Sequence, residues 1–327
     1  MGTTYYTVDG TDPTTTSATG TSVVLSMSGR YAIKYFSTDL AGNAEPIQTA
    51  STVITLDTGG PVVTITSPVT GGVYNSTKWN AQCGSTVGRI CGTAADPSGV
   101  AKVTLTVKRV SDGKFFDGGS NWGSSRTLTA VGTTSWTYDK LTSKVIANGQ
   151  SYIITVTSVD ALGLSGVAAT TFTYDTAALA VSTAAVTNKN FRVEIGVDTF
   201  SVTFKEAVAP VSIPAAGTLT LVRKSSGNTT YAISGLTNGA QDTGANVYLA
   251  LPSGTTVHTV NFAGTFTLSN SNRTITFTVT GACSGSCTAL ITTAKNGGWK
   301  YAPATTLRDL AGNVPTGSYT STSTAMF

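Results

Sequence analysis

Short runs of alternating apolar and polar residues recur along the whole chain. Clear examples centre on Leu105, Ile154, Val202 and Phe277, where apolar residues stand at every second position. This period places every second side chain on one face of a β-strand. Each run is bounded by Gly, Asn, Asp or Ser, which is typical of strands joined by turns. The pattern predicts an all-β fold made of antiparallel β-sandwiches.

A trio of Tyr, Asp and Gly recurs at constant offsets. The three copies are Tyr31, Asp39 and Gly42; Tyr152, Asp160 and Gly163; and Tyr301, Asp309 and Gly312. We expect each Tyr to point inward from a strand that ends at the Asp, whose carboxylate accepts backbone N–H bonds in the turn. The Gly supplies a positive φ that tightens this turn. Pro303 lies within the third copy and predicts an edge strand or a late start there.

One such trio for each domain predicts three domains. An Asp-Thr pair follows a strand-like run at both Asp57 and Asp175, which places the domains at residues 1–57, 58–175 and 176–327. Because these linkers are short, the sequence predicts tandem immunoglobulin-like sandwiches arranged end to end as a semi-rigid rod.

Charge and hydropathy exclude two classes of partner. Asp, Glu, Lys and Arg make up 11% of the chain, against about a quarter in soluble domains. The net charge of +4 is spread thinly and no run of Lys or Arg occurs, so we expect no nucleic-acid binding. No apolar stretch is long enough to span a membrane.

The four cysteines form two close pairs, Cys83 with Cys91 and Cys283 with Cys287. Neither pair has the Cys-x-x-Cys spacing of redox or zinc sites, and the chain has a single histidine. We therefore predict two local disulfides that pin turns. Disulfides place the protein outside a reducing cytosol, which predicts an extracellular location.

Several stretches resemble known bacterial modules. Residues 4–45, with Tyr5–Pro13, Gly29–Tyr31 and the Asp-Leu-Ala-Gly-Asn turn, resemble the immunoglobulin-like module at the C-terminus of bacterial chitobiases and hexosaminidases. That module begins with strands that this chain lacks, so the first domain is expected either to be truncated at its N-terminus or to take its missing strands from elsewhere.

The other two domains resemble modules of surface proteins. Residues 60–174 look like an adhesin-type bacterial immunoglobulin-like repeat. Residues 198–208 and 307–313 are similar to the immunoglobulin-like domains of S-layer and other envelope proteins, with an insertion expected around the Cys283–Cys287 loop. These resemblances imply a structural role at the bacterial cell surface, and they imply no catalytic residue.

Two aspartates at the domain joints are candidate metal ligands. Asp57 and Asp175 could help to bind a structural Ca²⁺ ion, with Asp39 or Asp160 folding back towards the joint. Ca²⁺ takes 6–8 oxygen ligands, and each joint supplies one acid locally. The alternative is that both aspartates only cap turns. No other cofactor is expected.

Trp122 is a candidate for stacking on a glycan, because it lies in a Gly- and Ser-rich loop. Trp79, Trp136 and Trp299 are expected in the core. His258 lacks a second histidine or an acid at motif spacing, so we expect a structural strand residue. The chain contains no nucleophile elbow, P-loop or zinc-protease motif, and we expect no enzymatic activity.

The sequence therefore predicts an extracellular structural or adhesive segment of a bacterial surface protein that spaces or assembles a rod, layer or filament. Its expected partners are other copies or neighbouring repeats, with a cell-surface glycan as a further candidate. The alternatives are a glycan-binding accessory region of a secreted glycosidase and a virion appendage.

Overall fold

A computed structural model describes residues 2–84, 90–187, 196, 198–224, 229–238, 240–242, 249–250, 252–290 and 298–321. These residues form two compact units. The first comprises Met1–Gly72, Asn80–Val145 and Ser151–Phe172, and the second comprises Val73–Trp79, Ile146–Gln150 and Thr173–Phe327. The fold is all-β, with tandem immunoglobulin-like antiparallel sandwiches, as the alternation predicts.

The strands range in length from 2 to 12 residues. The elements up to residue 175 are β1 (Thr3–Thr7), β2 (Ala18–Thr19), β3 (Gly29–Tyr31), β4 (Lys34–Thr38), β5 (Gln48–Thr49), β6 (Ile54–Leu56), β7 (Val62–Ser67), β8 (Gly72–Tyr74), α1 (Ser76–Asn80), β9 (Ile90–Ala95), β10 (Val100–Arg109), β11 (Phe115–Phe116), β12 (Trp122–Gly123), β13 (Leu128–Thr129), β14 (Ser135–Tyr138), β15 (Gln150–Asp160) and β16 (Ser165–Tyr174).

The remaining strands belong to the second unit. They are β17 (Leu179–Thr187), β18 (Thr199–Phe204), β19 (Ala216–Arg223), β20 (Thr230–Ile233), β21 (Ala240–Asp242), β22 (His258–Ser269), β23 (Thr274–Val279), β24 (Ser284–Gly285), β25 (Trp299–Tyr301), β26 (Pro315–Thr316) and β27 (Tyr319–Ser321). Two 3-10 turns, Pro210–Ser212 and Cys287–Ala289, lie between strands.

The N-terminal part of the first unit has a small core. Its strands form a four-stranded sheet in the order β2-β1-β4-β5 and a two-stranded sheet of β3 and β6. Phe36 is buried and stacks on Tyr5 at 5.2 Å. In contrast, Val24, Met27 and Leu40 are largely exposed. Among the described residues, this segment therefore buries little apolar surface of its own.

The middle of the chain supplies the main core of the first unit. Strands β12-β11-β10-β15-β16 lie in one sheet, with β13 paired to β10, and β14-β9-β7 form a second sheet. The register of β10 and β15 is antiparallel and pairs Leu105 with Val156. Both side chains are buried, as is Trp136. The apolar positions that alternate along the sequence therefore face the core.

The second unit contains one continuous sheet in the order β26-β17-β18-β23-β22-β19-β20-β21-β25-β27, with β24 paired to β22. Its pairs are antiparallel except β17 and β26, which run parallel. Phe200 is fully buried among Tyr231, Trp299 and Tyr301, with ring centroids 5.4 to 6.2 Å apart. Aromatic rings at such separations contribute strongly to a core.

The short helix α1 was not predicted from the periodicity of the sequence, because five residues are too few to show a helical period. Asn75 caps it, since its Oδ1 accepts the Lys78 N–H at 2.9 Å. Trp79 is fully buried and meets Tyr74 edge to face at 5.7 Å. In the described part of the chain, no helix is long and apolar enough to cross a membrane.

The three-domain organisation at residues 1–57, 58–175 and 176–327 stays a prediction.

Candidate functional site

One type of turn, here called the Asp turn, occurs in both units. In each, the Asp N–H donates to the carbonyl oxygen of the residue four positions later, at 3.0 to 3.2 Å. The Asp Oδ1 accepts the backbone N–H of that same residue at 2.8 to 3.1 Å. The Asp turns begin at Asp39, Asp117, Asp160 and Asp309. Because both bonds are local, the turn is set by a few residues of sequence.

Three of these turns are the ones that the sequence trio predicts. Their glycines, Gly42, Gly163 and Gly312, have φ of 88°, 93° and 97°. A side chain is strained at such angles, which is why Gly recurs there. The turn at Asp117 was missed because its glycines directly follow the Asp, although Asn121 stands at the same offset as Asn43 does from Asp39.

The tyrosines of the trios are less alike than the turns. The Tyr and the Asp belong to one strand only in the second copy, where Tyr152 and Asp160 both lie in β15. In the first copy Tyr31 ends β3, and Asp39 follows β4. In the third copy β25 ends at Tyr301, before Pro303, whose ring nitrogen cannot donate to a sheet. The turn, and not the whole strand, is the constant part of the repeat.

The residue four positions after the Asp divides the turns into two kinds. In three of them it is an Asn, whose Nδ2 donates to the second carboxylate oxygen, Oδ2, at 2.8 to 2.9 Å. In the Asp160 turn this position holds Leu164, which has no side-chain donor. Oδ2 of Asp160 is buried and has no hydrogen-bond partner.

Asp160 lies beside two other acids from distant parts of the sequence. Asp57 follows β6, and Asp96 lies in the turn from β9 to β10. One carboxylate oxygen from each of the three residues lies within 4.8 Å of the others. Asp160 is 2% exposed, and Asp57 and Asp96 are half-buried. We call these three residues the Asp160 cluster.

The Oδ1 atoms of Asp57 and Asp96 accept hydrogen bonds from nearby donors. Asp57 Oδ1 accepts from Gly59 N at 3.1 Å and from Ser28 Oγ at 3.3 Å. Asp96 Oδ1 accepts from the N–H and the hydroxyl of Ser98, at 2.8 and 2.7 Å. The Gly59 N–H is the main cause that lowers the pKa of Asp57, so this carboxylate stays ionised.

Asp57 and Asp160 each retain one buried oxygen without a donor. The Oδ2 atoms of both residues are buried and lack a hydrogen-bond partner. Among the described residues, no Lys, Arg or His forms an ion pair with Asp57, Asp96 or Asp160. Buried carboxylate oxygens without a partner are costly, so their presence calls for an explanation.

The second unit holds a comparable group, here called the Asp309 cluster, of Asp175, Glu206 and Asp309. Again a joint aspartate, an acid that follows a strand and the aspartate of an Asp turn place carboxylate oxygens within 4.8 Å of one another. Here Asn313 Nδ2 donates both to Asp309 Oδ2 at 2.8 Å and to the Asp175 carbonyl at 3.1 Å.

The Asp309 cluster has a further difference in its protonation. Burial, followed by the negative charges of Asp175 and Asp309, raises the pKa of Glu206 from 4.5 to about 7. Near neutral pH the Glu206 carboxyl therefore holds a proton in a large fraction of molecules. The proton on Glu206 thus lowers the negative charge of this cluster, and the Asn313 amide donates a hydrogen bond to Asp309.

The sequence pointed to only part of these clusters. The structure brings the predicted candidates Asp57 and Asp175 each next to an Asp-turn carboxylate, Asp160 and Asp309 respectively, and does not place Asp39 in either cluster. Asp96 and Glu206 were missed, because neither stands at motif spacing from its partners. Whether Asp57 or Asp175 binds Ca²⁺ stays a prediction.

The four cysteines form disulfides between Cys83 and Cys91 and between Cys283 and Cys287, which are the pairs that we predict from their spacing. Each bond closes a local loop. They hold the chain near β9 and near the 3-10 turn of Cys287–Ala289.

Trp122 is packed more fully than its Gly-rich surroundings suggest. Its ring lies 5.5 Å from Phe116, 5.3 Å from Tyr152 and 4.8 Å from the Arg109 guanidinium. Its Nε1 donates to the Val145 carbonyl at 3.0 Å. These contacts explain the residue by packing alone, and glycan stacking by Trp122 stays a prediction.

The other candidate residues occupy structural positions. Trp79, Trp136 and Trp299 are buried, as expected of core residues. His258 begins β22 and its Nδ1 lies 3.0 Å from the Ala250 carbonyl oxygen. This hydrogen bond gives the imidazole ring a structural role, as expected for a strand residue.

No family model matches the chain, and no curated protein matches it. Among solved structures, the chain is similar to part of a 1.5-MDa bacterial ice-binding adhesin, with 15% identity, coverage of 99% of this chain and 86% of that chain, and a TM-score of 0.32. It is similar to the FN1–FN3 domains of chicken CNTN1, with 11% identity, coverage of 85% and 88%, and a TM-score of 0.27.

A third similar structure is a tetra-tandem repeat from the extending region of a large adhesion protein, with 15% identity, coverage of 100% and 92%, and a TM-score of 0.24. At TM-scores this low, the similarity says nothing about what this chain binds or does.

Proposed function

We propose that the chain is a non-enzymatic, extracellular segment of a bacterial surface protein, with a structural and adhesive role in spacing or assembling a rod, layer or filament. The observation that carries the proposal is the Asp turn, which occurs four times in the described ranges with the same two hydrogen bonds between the Asp and the residue four positions later. Its polar residues are used to connect strands, which is the role expected of a repeated structural element.

The two disulfides support the extracellular part of this proposal. Both pairs are joined, and such bonds persist in oxidising compartments. Low charge supports the assembly part, because surfaces with few ions lose little solvation when they pack side by side.

The contacts of the candidate functional residues His258 and Trp122 support a structural role. The ring of His258 is hydrogen-bonded to a backbone carbonyl, and Trp122 is packed against two aromatic rings. Both residues therefore have structural partners that account for their positions.

Light scattering coupled to size exclusion, followed by negative-stain imaging of the full chain, tests assembly. We expect mass that rises with protein concentration, together with ordered particles. A monomer at every concentration would contradict assembly. Retention on a polysaccharide panel that is lost in Trp122→Ala would instead favour the glycan-binding alternative.

A further inference from the structure

The Asp160 turn has Leu164 at the position where the other Asp turns have an Asn, and without that side-chain amide one carboxylate oxygen has no partner. In the turn at Asp309, Asn313 Nδ2 donates to Oδ2 of the aspartate. In the Asp160 turn, Leu164 occupies the equivalent position, and its N–H makes the same 2.9 Å bond to Oδ1. The two turns thus share the backbone hydrogen bond to Oδ1, while the donor to Oδ2 is absent from the Asp160 turn.

The carboxylate that carries this unpartnered oxygen lies beside two other carboxylates. Asp160 is 2% exposed, and its carboxylate lies in the Asp160 cluster with Asp57 and Asp96. The Oδ2 of Asp57 is also buried and without a donor. A cation would stabilise these three clustered carboxylates. In the described part of the chain, no Lys, Arg or His forms an ion pair with them.

We propose that Asp57, Asp96 and Asp160 bind a Ca²⁺ ion, which takes the place that the Asn side chain holds in the other Asp turns. The donor set is all carboxylate oxygen, which suits a hard cation and not a soft transition metal. Oxygens that share one Ca²⁺ at about 2.4 Å lie at most ~4.8 Å apart. The oxygens of the cluster lie within 4.8 Å of one another, so a shared ion fits their spacing.

An open cleft beside the cluster gives a hydrated ion access. The cleft has a volume of about 310 Å³ and is lined by Ser28, Arg30, Asp57 and Ser98, among others. Water can therefore reach the site and supply further ligands, since Ca²⁺ commonly retains water in its coordination shell. Arg30 lines the cleft but forms no ion pair with the three acids.

The bound ion would connect distant parts of the chain. Asp57 ends the predicted first domain, while Asp96 and Asp160 belong to the predicted second domain, so one ion would join both sides of the joint. The ion binds the folded arrangement and not the unfolded chain, and therefore stabilises the first unit.

The test uses the full chain, stripped of metal with EDTA and then titrated with CaCl₂, read by calorimetry and by thermal unfolding. We expect a Kd near 10⁻⁴ to 10⁻³ M, roughly the range of extracellular Ca²⁺ modules. At saturating Ca²⁺ the unfolding midpoint should rise by about 3 °C or more. Mg²⁺ at equal concentration should have a smaller effect, because it gives up its water reluctantly.

Two variants assign the binding to this cluster. Asp96→Asn removes one carboxylate without touching the Asp turn and should weaken Ca²⁺ binding about tenfold or more. Leu164→Asn supplies the missing amide to Asp160 Oδ2. It should also weaken Ca²⁺ binding about tenfold, because the ion can bind this oxygen only after the new hydrogen bond to the carboxylate is broken. Asp39→Asn changes an exposed Asp turn that belongs to neither acidic cluster and should leave Ca²⁺ binding unchanged.

Several outcomes would overturn the proposal. One is that millimolar Ca²⁺ gives neither heat nor a shift of the midpoint in the wild-type chain. Another is that binding survives both Asp96→Asn and Leu164→Asn, or is lost only in Glu206→Gln, which would place the ion elsewhere. Each of these results leaves the proposed structural role of the chain to be judged by its own assembly test.

Discussion

The side-chain amide of Asn313 donates a 2.8 Å hydrogen bond to Oδ2 of Asp309. Asp309 is 2% exposed, so this bond satisfies a buried carboxylate oxygen that water cannot reach. The same amide also bonds the Asp175 carbonyl and thereby connects the Asp309 turn with the predicted joint. One asparagine thus satisfies two acceptors.

Replacement of this asparagine should destabilise the second unit. Asn313→Leu leaves Asp309 Oδ2 and the Asp175 carbonyl without their donor, which should reduce the free energy of unfolding by about 1 to 3 kcal/mol. Urea denaturation of the full chain measures the loss. Asn43→Leu is the matched control, because its partner Asp39 is exposed and water can replace the amide. A loss as large in the control as in Asn313→Leu would contradict this explanation.

Stability should depend on pH through Glu206. Its pKa is raised from 4.5 to about 7 in the folded state, so the folded chain binds this proton more tightly than the unfolded chain does. The resulting stabilisation is fully present below pH 4.5 and is lost as the pH rises through about 7.

Glu206→Gln should remove this dependence between about pH 5 and pH 8. Denaturation curves at several pH values in EDTA would measure it, with the exposed Glu45→Gln as the control. A pH slope that is unchanged in Glu206→Gln would show that another group titrates.

Trp122 should contribute to stability. Trp122→Ala removes ring contacts with Phe116, Tyr152 and Arg109 and leaves the Val145 carbonyl without its donor. Because the residue is only half-buried, we expect a loss of about 2 kcal/mol, below the 3–5 kcal/mol of fully buried tryptophans. Chemical denaturation would measure it, and a loss near zero would mean that the ring is free for a ligand.

The disulfides should stabilise the oxidised chain modestly. Cys283 and Cys287 are separated by 4 positions, and a loop this short restrains the unfolded chain by roughly 2 kcal/mol. The double variant Cys283→Ser with Cys287→Ser should lose about this amount under oxidising conditions and nothing under reducing conditions, where the bond is open in both proteins. Equal losses in both conditions would indicate that packing is the cause.

Strands and turns were predictable because their causes are local. The alternation around Leu105 and Phe277 follows from one buried face, and the Asp turn follows from bonds that span four residues. Helix α1 was not predictable from periodicity, because its five residues are held by the cap at Asn75 and the burial of Trp79.

The acidic clusters could be predicted only in part. Asp57 and Asp160 are visible as a joint residue and a repeat residue, but Asp96 joins them through the pairing of distant strands, which no local pattern encodes. The replacement of Asn by Leu164 is visible in the sequence. Its consequence, a buried oxygen without a donor, is visible only once the neighbours of that oxygen are known.

The structural role of the Asp turns is the central claim, and residue-resolved native-state hydrogen exchange of the full chain tests it most directly. The amides of Leu164 and Asn313, which bond Asp160 and Asp309, should exchange only through opening of the surrounding sandwich, and added Ca²⁺ should slow Leu164 but not Asn313. Exchange of both amides at the rate of an unfolded chain, with or without Ca²⁺, would contradict the account.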